Sequence, residues 1–179
     1  MDGDELDTES PIARLIRDNG DAVLLLYGPG DTQLSMVWQD AETGLLCKGR
    51  IDRRCRAMGL NLIVDLKTTR NAQTWAFTGD IAKYRYHAQL AFYVDGLATL
   101  APAERHVVFL VVEKDPPFCS RLVGLSPEAL DAGRAEYRRY MHQYIHARDT
   151  GQWPGYPPGI EWVGLPKWAA GSNGEEVIP

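Results

Sequence analysis

The chain has 179 residues, enough to bury a sizeable core, and its 45% hydrophobic and 24% charged residues are ordinary globular values. No apolar stretch approaches the ~20 residues that cross a bilayer, and the acidic start Met1-Asp-Gly-Asp-Glu5 lacks a signal-peptide pattern. A cytoplasmic protein with no membrane partner is therefore expected. The net charge of −5 excludes a uniformly basic nucleic-acid binder, although what counts for such a partner is how the charge is distributed.

In chain order, residues 1–10 are acidic and expected to be disordered, and residues 11–20 suggest a short helix ended by Gly20. Ala22–Tyr27 and Gln33–Gln39 are predicted as strands joined by the turn Gly28-Pro-Gly-Asp31. The runs Leu45–Asp52 and Leu62–Thr68 follow as two further strands. The polar stretch Arg53–Leu60 between them, with Gly59, predicts an antiparallel hairpin of unfixed register. Residues 71–79 read as a loop or short helix whose Trp75 and Phe77 are more readily packing residues than base-stacking ones. Residues 82–100 are predicted as one helix.

Arg105–Glu113 is a near-continuous apolar run that suits a central strand covered on both faces. After the turn at Asp115-Pro-Pro117 comes a strand over Phe118–Leu125. Ser126-Pro-Glu then starts a long helix, with the serine as cap and the proline in the first turn. Leu130, Gly133, Tyr137, Met141, Tyr144 and Ile145 form its apolar stripe, leaving Arg134, Arg138, Arg139, His142 and His146 as a solvated face. The aromatic, proline-rich stretch Trp153–Trp168 is expected to lie across the domain as a cover, and residues 169–179 to be disordered.

The chemistry concentrates in three places. Asp52 ends Cys47-Lys-Gly-Arg-Ile-Asp52; thirteen residues on stands Asp65-Leu66-Lys67; and Gln89 and Tyr93, four apart, share one face of the predicted helix. Strand alternation puts Lys48, Arg50 and Asp52 on one face, and Ile63, Asp65 and Lys67 on another. An unpaired carboxylate is costly to bury, so the two charged faces are expected to meet at a solvated cleft. An Asp-x-Lys tripeptide alone reads as easily as a surface ion pair. Two acids and an amine on neighbouring strands are what a metal-dependent phosphodiesterase needs. Lys48, Arg50, Arg53, Arg54, Arg56, Lys67, Arg70, Lys83 and Arg85 would give the cleft a basic lining that meets phosphates. For Arg53, Arg54 and Arg56 a merely solvated loop is an equal alternative.

Cys-Lys-Gly-Arg-Ile-Asp52, Val-Asp65-Leu-Lys67-Thr-Thr69 and Tyr84-Arg-Tyr-His-Ala-Gln89-Leu-Ala-Phe-Tyr93 resemble the PD-(D/E)XK nuclease superfamily, and within it the RecE-type exodeoxyribonuclease branch of phages and prophages. The resemblance implies one α/β nuclease domain over residues 11–168. Its fold would be restriction-endonuclease-like, three α/β/α layers around a mixed sheet. It implies Mg²⁺ or Mn²⁺ bound by Asp52, Asp65 and the Leu66 carbonyl, with Lys67 catalytic. Gln89, Tyr93, Arg50, Thr68 and His87 would support the site or bind DNA, and Glu5, Glu9 or Glu42 could supply a further acid. Glu42, in Asp40-Ala-Glu-Thr-Gly44, reads equally as a solvated turn charge.

The implied activity is exonucleolytic hydrolysis of linear double-stranded DNA, 5′ to 3′, in recombination or phage DNA processing. A single-strand annealing recombinase is an implied partner, and homo-oligomers are possible. A catalytically incomplete DNA-binding module and a structure-specific endonuclease of the same fold are the alternatives. Cys47, Cys55 and Cys119 fall short of the four that iron–sulfur relatives need, and reduced thiols are expected.

Overall fold

A computed structural model describes residues 20–166. The helix expected over 11–20, but for its last residue, and both terminal segments expected to be disordered lie outside them. The elements are α1 (Gly20–Tyr27), β1 (Gly30–Gln39), β2 (Leu46–Ala57), β3 (Leu60–Thr69), α2 (Thr74–Lys83), α3 (Tyr86–Leu100), β4 (His106–Glu113), β5 (Ser120–Gly124) and α4 (Pro127–Thr150). The strands form one sheet in the order β1-β2-β3-β4-β5. Only β3 and β4 run parallel, so the sheet is mixed. A parallel pair needs a crossover, which α2 and α3 provide.

β4 shows why helices cover both faces of the sheet. Along it Val107, Phe109 and Val111 join one core and Leu110 and Val112 the other, all fully buried. The first core lies under α2, α3 and α4, where Phe77, Leu90, Val94 and Tyr137 meet Trp38, Ile51 and Ile63. The second is closed by Ala22 and Leu25 of α1 over Cys55, Leu62 and Val64. This is the α/β/α architecture that the resemblance implies.

Four expectations change. Ala22–Tyr27 belongs to α1, not to a strand: Ala22 and Leu25 are buried three residues apart while Leu24 is exposed, a helical rather than a two-residue period. The hairpin has no long loop. β2 continues through Arg53, Arg54 and Arg56, and Ala57 pairs with Leu60 across a two-residue turn. Its residues Met58 and Gly59 both have positive φ (52° and 77°), the mirror-image turn that matches strand twist. The single helix over 82–100 is two, because Arg85 adopts a left-handed conformation (φ 59°) between α2 and α3. The segment from Trp153 to Leu165 is not a cover. Trp153, Tyr156, Ile160, Trp162, Val163 and Leu165 are exposed, with Trp153 meeting the Tyr144 ring edge-on at 5.8 Å.

α4 begins as its sequence predicts, Ser126 Oγ accepting the Ala129 N–H at 3.2 Å. Its basic face is only partly solvated. Arg134 Nε donates to Asp95 Oδ1 at 2.9 Å and Arg138 to Asp40 Oδ2 at 2.6 Å, pinning α4 to α3 and to the β1–β2 turn. Gly133 lets α4 approach α3: a Cβ there would lie 2.3 Å from the His87 carbonyl oxygen, a backbone atom that cannot swing aside. Gly133→Ala should therefore lower stability by about 1–3 kcal/mol, as overpacking does. A urea unfolding curve checks this, and a midpoint equal to that of the unmodified protein would refute the packing.

Candidate active site

The site forms where the β2–β3 ladder stops. Pairing runs from Ala57↔Leu60 to Arg53↔Val64, and the next two residues in that register are Asp52 and Asp65. On the other side of β2, the β1 ladder skips one pair, Gln33 and Asp52. Gln33 is left-handed there (φ 53°). The core faces exchange at this step: Ile51 packs under α3, whereas Arg53 turns toward α1 and donates to the Leu25 and Gly28 carbonyls and, at 2.9 Å, to Thr32 Oγ1. The simple alternation expected for Lys48, Arg50 and Asp52 thus breaks at Asp52.

Its carboxylate takes a ladder position instead. Asp52 Oδ2 accepts the Leu66 N–H at 3.1 Å. A strand residue's N–H and C=O leave on the same side, so the Leu66 carbonyl is directed toward the same opening between the strands.

Asp65 and Lys67 do lie on one face of β3, but it is the helix-covered face, not a solvated cleft. Asp65 is only 4% exposed, and its Oδ2 lies 2.5 Å from Lys67 Nζ. That oxygen has no hydrogen bond of proper geometry among the described residues. The contact is an ion pair within the protein interior. Burial pushes the Asp65 carboxyl above its ordinary pKa; Lys67 opposes the rise and the nearby Asp52 charge adds to it.

α3 roofs the pair. Lys67 Nζ stands 4.5 Å from the centre of the Tyr86 ring, a cation–π contact that sequence reasoning missed. Its signal was available: Tyr86, Gln89 and Tyr93 recur at i, i+3 and i+7. Gln89 Nε2 donates to Tyr93 Oη at 3.3 Å. Tyr93 lies so flat on β2 that a Cβ at Gly49 would come within 2.8 Å of its ring.

Other expected residues go elsewhere. His87 bridges α2 and α4, with Nδ1 3.3 Å from the Ile81 carbonyl and Nε2 3.0 Å from Glu136 Oε2, and does not reach the pair. Glu42 meets His142 at 2.9 Å and Arg138 at 3.4 Å, so it is a turn charge; Glu5 and Glu9 lie outside the described residues. Arg50 is exposed two residues before Asp52. Thr68 lines a separate hollow beyond Lys67. The expected continuous basic lining is divided, since Arg53 is buried against α1, Arg54 pairs with Asp31 and Arg85 with Glu136. Phe77 is core, while Trp75 is 75% exposed.

Residues 8–164 match the family described as PDDEXK-like domain of unknown function (DUF3799). The chain belongs to this family. No curated protein matches it. Among solved structures, a protein of Eubacterium rectale provisionally named an exonuclease superposes with a TM-score of 0.59 at 18% identity, over 82% of this chain and 54% of that one. The chain thus spans about half that protein's length, and the likeness is one of fold. SSO0001 gives a TM-score of 0.41 at 15% identity, over 68% of this chain and 54% of that one, and carries no argument. Family and fold support the PD-(D/E)XK superfamily and a nuclease-like architecture; neither singles out the RecE-type branch. No helix among the described residues is long and apolar enough to cross a membrane.

Nucleases of this PDDEXK-like kind typically use divalent metals, and the donors here suit one. Asp52, Asp65 and the Leu66 carbonyl are all oxygen donors, the ligands that Mg²⁺ and Mn²⁺ prefer. No cluster of three or more His, Cys, Asp or Glu occurs among the described residues. Mg²⁺ tolerates that, since it binds through one or two carboxylates and keeps waters or substrate phosphates.

The sign of the Asp65 shift sets a test. A carboxyl whose folded pKa is raised stabilises the fold below its unfolded pKa, and that contribution is lost as pH rises through the folded value. In chelator, thermal stability should fall across this window more steeply for the unmodified protein than for Asp65→Asn. At neutral pH, Mg²⁺ at about 100 times its dissociation constant should raise the melting temperature by about 5–10 °C in the unmodified protein only. Equal shifts in both proteins would remove Asp65 from any metal site.

Proposed function

We propose that this chain is a divalent-metal-dependent deoxyribonuclease, an exonuclease that hydrolyses linear double-stranded DNA from its ends, 5′ to 3′, during recombination or phage DNA processing. The observation that carries the nuclease reading is the buried Asp65–Lys67 pair beside the strand step at which Asp52 accepts the Leu66 N–H. Action at ends is supported by the name given to the Eubacterium rectale protein, and polarity by the residue resemblance to the RecE-type branch. A strand-annealing partner and self-association are implied by that resemblance alone.

In this reading Asp52, Asp65 and the Leu66 carbonyl hold Mg²⁺ or Mn²⁺. When bound, the ion supplies charge to the phosphate oxygens and acidity to water. The chain's own residues do the rest. Lys67, steadied between Asp65 and the Tyr86 ring, keeps an ammonium within reach of the attacking water and the non-bridging oxygens, where negative charge grows. Tyr93 packs α3 against β2 at Gly49, with Gln89 donating to its hydroxyl from within the helix, so the roof over Lys67 keeps its height.

One observation favours a second reading, a DNA-binding module without turnover: the described residues offer two acids at the site and no third. Cleavage assays separate the two. Lys67→Ala and Asp65→Ala should each reduce degradation of end-labelled linear duplex DNA by about 10²–10⁴-fold, while circular dichroism remains native. Covalently closed circles should survive; their cleavage would make the protein an endonuclease. Binding without products in Mg²⁺ and Mn²⁺ would establish the module, and undiminished rates in either variant would dismiss the site.

A further inference from the structure

Beyond Lys67, where β3 and β4 end, a polar hollow of about 540 Å³ opens between the sheet and the α2–α3 junction. Arg70, Lys83 and Lys114 line it, with Asp80 as the lone carboxylate. Asp80 is committed, since its Oδ2 accepts the Thr69 hydroxyl at 2.9 Å. None of the three cations forms an ion pair among the described residues, whereas Arg53, Arg54, Arg85, Arg134 and Arg138 are all engaged with other groups. A chain of net charge −5 thus gathers three cations against a single carboxylate around one concavity. Like charges held together raise one another's cost unless an anion joins them.

The hollow adjoins the candidate active site through Tyr86, whose ring touches Lys67 and lines the cavity wall. Tyr84 stacks on Tyr86 at 5.5 Å, has Lys83 Nζ 5.2 Å from its ring centre and is half exposed, so its ring and the Lys83 cation present one surface that a base stacking there would share. Cations next to an open aromatic surface are what a nucleic-acid strand meets, phosphate on the one and base on the other.

We propose that this hollow is a strand-phosphate subsite: Arg70, Lys83 and Lys114 receive a phosphate of the substrate strand displaced from the one at Lys67, and Tyr84 stacks a neighbouring base. This rests on the nuclease reading, and it adds how the strand is held in register. The phosphate could be an internal diester or a terminal monoester; the chemistry of recognition is shared, and the test separates them.

Lys83 and Lys114 are exposed, as is Arg70, so the triple variant Arg70→Ala, Lys83→Ala, Lys114→Ala should fold. Its affinity for a fluorescein-labelled duplex, measured in Ca²⁺ with anisotropy at several salt concentrations, should fall about tenfold or more. The slope of log K against log salt should shrink by about 1 for each phosphate that the variant leaves unneutralised. Arg148→Ala, which removes a charge near the end of α4, should bind as the unmodified protein does. Tyr84→Ala should weaken binding without changing the salt slope, the mark of a stacking interaction rather than an ionic one.

Equal losses on 5′-phosphorylated and 5′-hydroxyl duplexes identify an internal diester, and a loss confined to phosphorylated ends identifies the monoester. If the triple variant binds with unchanged affinity and slope while the unmodified protein binds and cleaves DNA, the subsite is refuted and the nuclease stands. If the unmodified protein neither binds nor cleaves, both fall together.

Discussion

The parting of β2 from β3 after Arg53 and Val64 governs everything around it. A ladder that ends inside a sheet leaves backbone donors without partners, and such groups are expensive to bury. Asp52 resolves this by giving its carboxylate to the Leu66 N–H. The same bond holds the carboxylate at the mouth of the gap, so a structural requirement and the placing of an acid are met by one contact. The left-handed Gln33 on the far side of β2 belongs to the same event, since the two strands exchange core faces together at that step. Arg53 secures the exchange by binding the carbonyls at the end of α1.

Next to this gap sits a group that the fold does not favour. Asp65 is buried, its charge is opposed by burial and by Asp52, and Lys67 compensates with imperfect alignment. A core built for stability alone would carry an apolar residue here, as Ile63 does two positions earlier on the same face. Neighbouring elements absorb the cost. β4 is sealed on both faces, Phe92 packs between Trp38 and Tyr137, and α4 is drawn against α3 at Gly133. That rigidity keeps Tyr86 over Lys67, because α3 cannot tilt without disturbing each of these contacts.

Much of this was legible in the sequence. The apolar run of β4 announced a strand covered twice, Ser126-Pro-Glu announced a helix start, and the spacing of Asp52, Asp65 and Lys67 marked neighbouring strands. What failed did so for identifiable reasons. Ala22–Tyr27 is short and apolar enough to suit either period, and only its burial distinguishes helix from strand. The helix break at Arg85 depends on a left-handed residue that no glycine or proline advertises. The face exchange at Asp52 arises from two strands deforming together, which a period-two reading of one strand cannot contain. The aromatic richness of the segment after Trp153 expresses a need for burial without naming the surface that meets it.

Charge was the least legible quantity, because composition counts groups and recognition depends on which remain unpaired. The nine cations that the sequence groups near a single cleft separate in space. Arg53 holds α1, Arg54 closes on Asp31, Arg85 reaches Glu136, and Lys67 is drawn to Asp65. Arg134 and Arg138, which the helical pattern assigns to solvent, fasten α4 instead. An acidic chain can therefore present a locally positive surface without a large excess of arginine. Carboxylates pair with several of the cations that shape the fold and Arg53 binds carbonyls instead; of the cations without an ion pair among the described residues, Arg70, Lys83 and Lys114 gather where β3 and β4 end, and there they would meet an approaching polyanion.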